Sequence, residues 1–244
     1  MKKIILMCMI LTLSIGTEAQ RRNKKEITTN EQYGVKNTGT ELVIHFERGK
    51  EHNHPLFAIW LADENGNFIQ TLYVSESIGK GTFKRATRNS GRWLEGEIQR
   101  PAALPYWSHQ YGVLNAYGNF LPTPQNPVAD AYTGATPKTS FVMKVRTEEA
   151  LKGKYKIMFE INQSWDWNEY WYNDKFPDDR EYKTSSQPAL VYSVDIDMAN
   201  KNAEYVLKPI GHSHYSGKDG SLNTDLTTLT TALKIANKIS VRIM

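Results

Sequence analysis

The sequence predicts an all-β protein, an antiparallel Ig-like β-sandwich with long loops and a short C-terminal helix. Apolar residues come in short runs broken by turn residues, about seven runs at strand-like spacing. Several of these runs alternate apolar and polar with the period of two of a half-buried strand. Aromatic residues reach 11% of the chain, with 13 Tyr and 6 Trp, and such side chains favour pleated surfaces.

Leu42–Phe46 is the first expected strand, and Leu56–Ala62 the second. The second is apolar throughout, the pattern of a strand covered on both faces. Asp63-Glu64-Asn65-Gly66-Asn67 then supplies a tight turn, with Asn-Gly providing the positive φ it needs, and Phe68–Val74 completes a hairpin. Further on, Ser140–Arg146 puts Phe141, Met143 and Val145 on one face, and Lys154–Ile161 aligns Tyr155, Ile157, Phe159 and Ile161. Strands are also expected at Ala189–Ile196 and Glu204–Ile210. In the last strand, Ile239, Val241 and Ile243 alternate with Ser240 and Arg242. Weak helical periodicity occurs over Arg85–Ile98 and at Leu226, Leu229, Leu233 and Ala236. Residues 99–138 form a Pro-, Gly- and Tyr-rich stretch of about forty residues without periodicity, and loops that long tend to be functional.

Composition narrows the function. An apolar fraction of 40% with 23% charged residues excludes a disordered tail, a collagen-like chain and a coiled coil. A net charge of only +4, spread along the chain, argues against a nucleic-acid partner. A single cysteine excludes a disulfide scaffold and any cysteine-based zinc site.

Residues 1–19 read as a secretory signal peptide: Lys2 and Lys3, the apolar stretch Ile4–Ile15, then Thr17 and Ala19 at the −3 and −1 positions of a cleavage site. The apolar stretch is shorter than the roughly 20 residues of a membrane span, so the chain is not expected to span a membrane. Cleavage would remove Cys8 and leave a thiol-free periplasmic or extracellular protein. Residues 20–40 are expected to be a flexible lead, and 41–244 a single sandwich domain.

The long loop ends in Asp130-Ala131-Tyr132-Thr133-Gly134-Ala135-Thr136-Pro137-Lys138-Thr139-Ser140. Asp130, Thr133, Gly134, Ala135 and Thr136 resemble, in order, the acceptor motif of proteins flavinylated by the exported flavin transferase, and the Thr139-Ser140 pair fits it too. The resemblance implies FMN joined to Thr136 through a phosphodiester bond. Its best-known bearers are the FMN-carrying subunits of sodium-pumping quinone reductases and related membrane electron-transfer complexes. The residue types suit such an attachment. Gly134 and Ala135 clear space, Thr136 supplies the nucleophilic oxygen, and Lys138 is a cation for the phosphate. Asp130 would fix the turn by accepting from backbone N–H groups. As an isolated sequence the segment also reads as an ordinary strand-entry turn.

A second resemblance spans about residues 40–244. Pro55-Leu56-Phe57-Ala58-Ile59-Trp60-Leu61-Ala62-Asp63, Gly66, Thr71-Leu72, Arg92-Trp93-Leu94, the acceptor motif and Gly153-Lys154-Tyr155 follow in the order of a predicted periplasmic family, domain of unknown function 2271. Its members are often encoded beside flavin transferases and membrane proteins of the peptidase-propeptide-like class. That implies an extracytosolic redox accessory role, the family having no established activity of its own. With the acceptor motif, the expectation is an electron carrier, more redox shuttle than turnover enzyme, with an exported flavin transferase and a membrane-bound redox protein as partners. The longer tail from Gln187 onward departs from simpler members.

Trp165, Trp167, Tyr170, Trp171 and Tyr172 crowd eight residues, with Trp165, Trp167 and Trp171 expected to keep the face of the preceding strand. They would cover the core, stack on an isoalloxazine ring, or hold a sugar. His52 with His54, and His212 with His214, are His-x-His pairs in turn-like surroundings; they suit loop histidines, a metal site, or, for His212 and His214, a cradle for the FMN phosphate. Asp174, Asp178, Asp179 and Glu181 read as a solvated acidic loop without EF-hand spacing. Nucleophile-elbow, phosphate-loop and metalloprotease motifs are absent from the sequence. The alternative to a flavin carrier is an Ig-like binding module of the cell envelope with a saccharide or protein ligand.

Overall fold

The structure, a computed structural model, describes residues 28–33, 38–128, 132–134 and 136–244. The expected signal peptide, Asp130 and Ala135 lie outside the described residues. In chain order the elements are β1 (Thr29–Gln32), β2 (Glu41–Arg48), β3 (Leu56–Ala62), β4 (Phe68–Ser75), α1 (Glu76–Gly79), β5 (Thr82–Asn89) and β6 (Arg92–Glu97). There follow α2 (Pro105–Tyr111), β7 (Tyr132–Gly134), β8 (Phe141–Arg146), β9 (Lys154–Asn162), α3 (Tyr182–Ser185) and β10 (Leu190–Asp197). The chain closes with β11 (Tyr205–Val206), β12 (Lys208–His212), a 3₁₀ turn (Ala232–Lys234) and β13 (Ala236–Ile243).

Two sheets form the sandwich. One has the order β1-β8-β2-β13-β11 and the other β12-β10-β9-β3-β4-β7. Pairing is antiparallel except at two edges, where β1 lies parallel to β8 and β7 parallel to β4. The alternation that marks each strand places its inward residues. Leu42, Ile44 and Phe46 of β2 face Phe57, Ile59 and Leu61 of β3, joined by Phe141, Met143 and Val145 of β8 and Ile157, Phe159 and Ile161 of β9. Phe46 stacks on Phe141 with ring centroids 4.8 Å apart, and Phe57 on Phe159 at 5.2 Å, so the centre of the sandwich is an aromatic stack.

The uninterrupted apolar run of β3 has a second purpose. Its other face, Ala58, Trp60 and Ala62, joins Val74, Met158 and Val191 in a separate core on the outside of the six-stranded sheet. The aperiodic stretch after β6 covers that face with Ala103, Leu104, Trp107 and Val128. The Trp107 indole N–H donates to Thr71 Oγ1 at 3.1 Å. Helix α2 has no side-chain cap of its own at Leu104. Glu160 of β9 replaces it from a distance, accepting the N–H groups of Trp107 at 2.7 Å and Tyr106 at 3.1 Å.

Four expectations change. Arg85–Ile98 is the β5–β6 hairpin, not a helix: Ser90 and Gly91 have φ of 48° and 80°, the two positive values of a tight hairpin turn. Glu204–Ile210 splits into β11 and β12, which belong to different sheets. The helical face from Leu226 to Ala236 yields only a three-residue 3₁₀ turn, with threonines too poor as helix formers to extend it. The region expected to be a lead contributes β1, paired from Thr29↔Phe141 to Gln32↔Lys144. Among the described residues no helix is long and apolar enough to cross a membrane.

Candidate functional site

One pole of the six-stranded sheet gathers the loops that hold most of the expected site residues. β3 starts at Leu56 opposite Asn162, the end of β9; β10 starts at Leu190 opposite both Ile161 and His212, the end of β12. β4 ends at Ser75, one residue beyond the Ala58↔Val74 pair. Thr136, Trp165, Trp167, His212 and His214 therefore all emerge at the same end of the sheet.

The segment expected to accept flavin sits at its edge. β7 holds to β4 through only Tyr73↔Tyr132, Val74↔Thr133 and Ser75↔Gly134. Just beyond, the half-buried Thr136 brings its Oγ1 to 2.9 Å from Ser75 Oγ. Ser75 is fully buried, accepts the Phe57 N–H at 3.0 Å and donates to the Phe57 carbonyl at 3.2 Å. With its one proton so used, Ser75 accepts from Thr136, and the lone pairs of Thr136 Oγ1 stay unused in this contact.

Gly134 and Thr133 are in the motif for reasons the structure makes specific. A Cβ on Gly134 would lie 2.3 Å from the Tyr33 hydroxyl, so only glycine admits that ring. The Gly134 carbonyl accepts the Tyr73 hydroxyl at 2.9 Å, and the Tyr33 and Tyr73 rings lie 5.0 Å apart. Burial, then the Glu31 carboxylate, pushes the Tyr33 phenol up to about 12. Burial pushes Tyr73 up as well, with Tyr33 and Glu31 adding to it. Thr133 lies over α1, where a Cβ on Gly79 would come within 2.5 Å of Thr133 Cγ2. Lys138 is exposed two residues past Thr136.

The tryptophan cluster does not continue the face of β9. That strand ends at Asn162, and the chain turns under the control of Asn168. Its Oδ1 accepts the N–H groups of Tyr170 and Trp171, and its Nδ2 donates to Gln187 Oε1 and the Thr228 carbonyl. Trp171 is buried, donating its indole N–H to Thr228 Oγ1 at 3.0 Å. Trp167 packs half-buried against the core beside Tyr182. Tyr170 and Tyr172 are exposed farther along the chain. Of the three tryptophans only Trp165 is open, 70% exposed, edge-on to Trp167 at 6.3 Å, and in a left-handed backbone with φ of 66°. A bulky residue there carries strain of order 1 kcal/mol or more.

The histidine pairs separate from the acceptor. β12 is four strands from β4 in the sheet order, about 19 Å at the usual strand spacing, so His212 and His214 do not cradle a phosphate on Thr136. His212 is buried, with Nδ1 2.8 Å from the Ser213 carbonyl. His214 stacks on Tyr215 at 4.4 Å, and its Nδ1 accepts the Ser216 N–H. His54 sits in a left-handed turn with Nδ1 3.0 Å from Asn53 Oδ1. Among the described residues no group of three or more His, Cys, Asp or Glu side chains is placed to hold a metal.

Sequence reasoning missed a cleft of about 740 Å³, walled by the 101–121 stretch, residues 175–181 and residues 215–218. Phe176 and Tyr215 stack at 4.1 Å in its wall, beside His109, Arg180, Glu181 and Lys218. The segment expected to be a solvated acidic loop supplies part of it. Asp179 there accepts the N–H groups of Glu181 and Tyr182, and burial pushes the Glu181 carboxyl up despite Arg180. Three distant segments build this cleft, so no local spacing could announce it. Comparison with known families, curated proteins and solved structures finds no match.

Proposed function

We propose that this protein is an exported carrier of one FMN esterified to Thr136, which exchanges electrons with a membrane-bound redox partner. The observation that carries the reading is the setting of the motif. Its hydroxyl follows a three-residue edge strand at one pole of the sheet and is held to the body through Ser75 Oγ. An exported flavin transferase can reach such a segment without opening either core. In the attachment step Thr136 Oγ1 would attack the FMN phosphorus of a flavin dinucleotide donor. The Oγ1–P bond forms as the pyrophosphate P–O bond breaks, the nucleoside monophosphate leaves, and the hydroxyl proton passes to a base of the transferase.

The bound flavin would supply the electron transfer itself. For the chain, the fit is good at the phosphate and open at the ring. Thr136 gives the ester oxygen, and exposed Lys138 gives a cation for the phosphate. A ring held from Thr136 at the sheet edge would lie where a partner can approach it. Trp165, in the chain beyond the end of β9 and 70% exposed, is an indole at the same pole on which such a ring could stack.

Coexpression with an exported flavin transferase should raise the intact mass by one FMN moiety and colour the protein yellow, and Thr136→Ala should abolish both. Wild type that stays colourless at unchanged mass overturns the reading. The second reading, an envelope binding module, is favoured by the aromatic, mixed-charge cleft, whose size suits a small ligand. Saccharide binding by unflavinylated protein, lost on Tyr215→Ala, would support it.

A further inference from the structure

The β5–β6 hairpin has no place in the flavin reading, and its composition is unusual for a surface ribbon. Only its root meets the body: Phe83 lies under the Arg100 guanidinium at 4.9 Å, and the Ile98 N–H donates to the Gly81 carbonyl. From Lys84 to Glu95 every residue except Ala86 is exposed. An isolated two-stranded ribbon is marginal even with a buried face, and this one buries neither. Trp93 and Leu94 are 53% and 46% exposed. Being adjacent in a strand, they point to opposite faces.

The charge is as uneven as the burial. Arg85, Arg88 and Arg92 lie in the outer part of the hairpin, with no acid between Lys84 and Leu94. Among the described residues none of the three makes an ion pair or a side-chain hydrogen bond. The ribbon therefore offers unpaired guanidinium groups around two apolar side chains that face opposite ways. A rigid protein surface could cover one face and leave the other wet. A layer of lipid headgroups closes round both, while its phosphates take the arginines. Both long edges of the ribbon carry unpaired backbone groups, which bars it from hydrocarbon and fixes its depth at the headgroups.

We propose that the β5–β6 hairpin seats the protein on an anionic phospholipid surface, with Trp93 and Leu94 among the headgroups and Arg85, Arg88 and Arg92 on their phosphates. This does not depend on the flavin. The test is co-sedimentation of the exported protein with vesicles of phosphatidylethanolamine and phosphatidylglycerol, against vesicles of phosphatidylcholine alone. Binding should favour the anionic vesicles and vanish in high salt. Arg88→Gln and Arg92→Gln should each weaken it roughly fivefold, and Trp93→Ala should weaken it on top of them. All proteins compared share the basic run Arg21–Lys25, so its attraction cancels. The hairpin tip touches neither core, and unchanged melting temperatures would show that the variants are folded. Equal binding to both vesicle types, or equal binding by wild type and the folded double-arginine variant, overturns the proposal.

Discussion

Among the described residues Glu160 is buried without a counter-charge, answered by N–H groups of α2 and by the Ser213 hydroxyl. Burial outweighs those bonds and raises its pKa from 4.5 to about 8. Between those values the folded protein keeps a proton that the unfolded chain has released. The stability tied to this group is therefore full below about 4.5 and is lost as the pH rises through about 8. Urea unfolding at pH 5 and at pH 8.5 should differ by a few kcal/mol, to the disadvantage of the higher pH. Glu160→Gln should flatten that difference. Gly134 makes a second test at this scale. Gly134→Ala drives a methyl into Tyr33 and should cost about 1–3 kcal/mol in a melting experiment. Tyr33→Phe in the same chain should recover part of the loss, since the hydroxyl is the nearest atom. From the motif alone this glycine reads as clearance for a transferase; the side chain that uses the clearance lies a hundred residues upstream, where local sequence cannot show it.

For whole elements, the sequence is most legible where periodicity and pairing agree. β3 is the example: seven apolar residues predict cover on both faces, and both faces are covered. What covers the outer one is not legible, because α2 is a single short helix whose cap comes from another strand. Trp107 is its anchor. Trp107→Ala should cost about 3–5 kcal/mol, and Thr71→Val, which leaves the indole N–H unpaired, about 1–3 kcal/mol, both read from denaturant midpoints. The hairpin at Thr82–Glu97 escapes a periodicity argument because its outer apolar residues, Trp93 and Leu94, face water, so burial imposes no period on them. The tryptophans after β9 mislead for a related reason. Alternation continues in the sequence past Asn162, but β10 begins at Leu190 opposite Ile161, and a strand stops where its partner does.

Across the whole molecule, topology decides what the candidate residues can share. The acceptor motif is readable as a string, and its companions Trp165, His212 and His214 do reach the same pole. Their lateral order is set by the sheet, β12 at one edge and β7 at the other, and no spacing along the chain encodes it. Trp165 thus follows β9, two strands from β4, while His212 ends β12, four strands away. Replacing Trp165 by glycine relieves a left-handed backbone and should leave the melting temperature equal or higher. In flavinylated protein the same change should alter flavin fluorescence without altering the mass gained, separating contact with the ring from attachment.

β1 joins the edge of the five-stranded sheet, yet the residue that follows it, Tyr33, lies across Gly134 at the edge of the other sheet. The first described strand is thus a clasp linking two margins that share no backbone pairing. A chain shortened past Tyr33 would retain both cores and lose the clasp. Proteases should then cut between Tyr132 and Ser140 far sooner than in the full-length protein, so trimming at one end would govern how readily the distant loop can be drawn out.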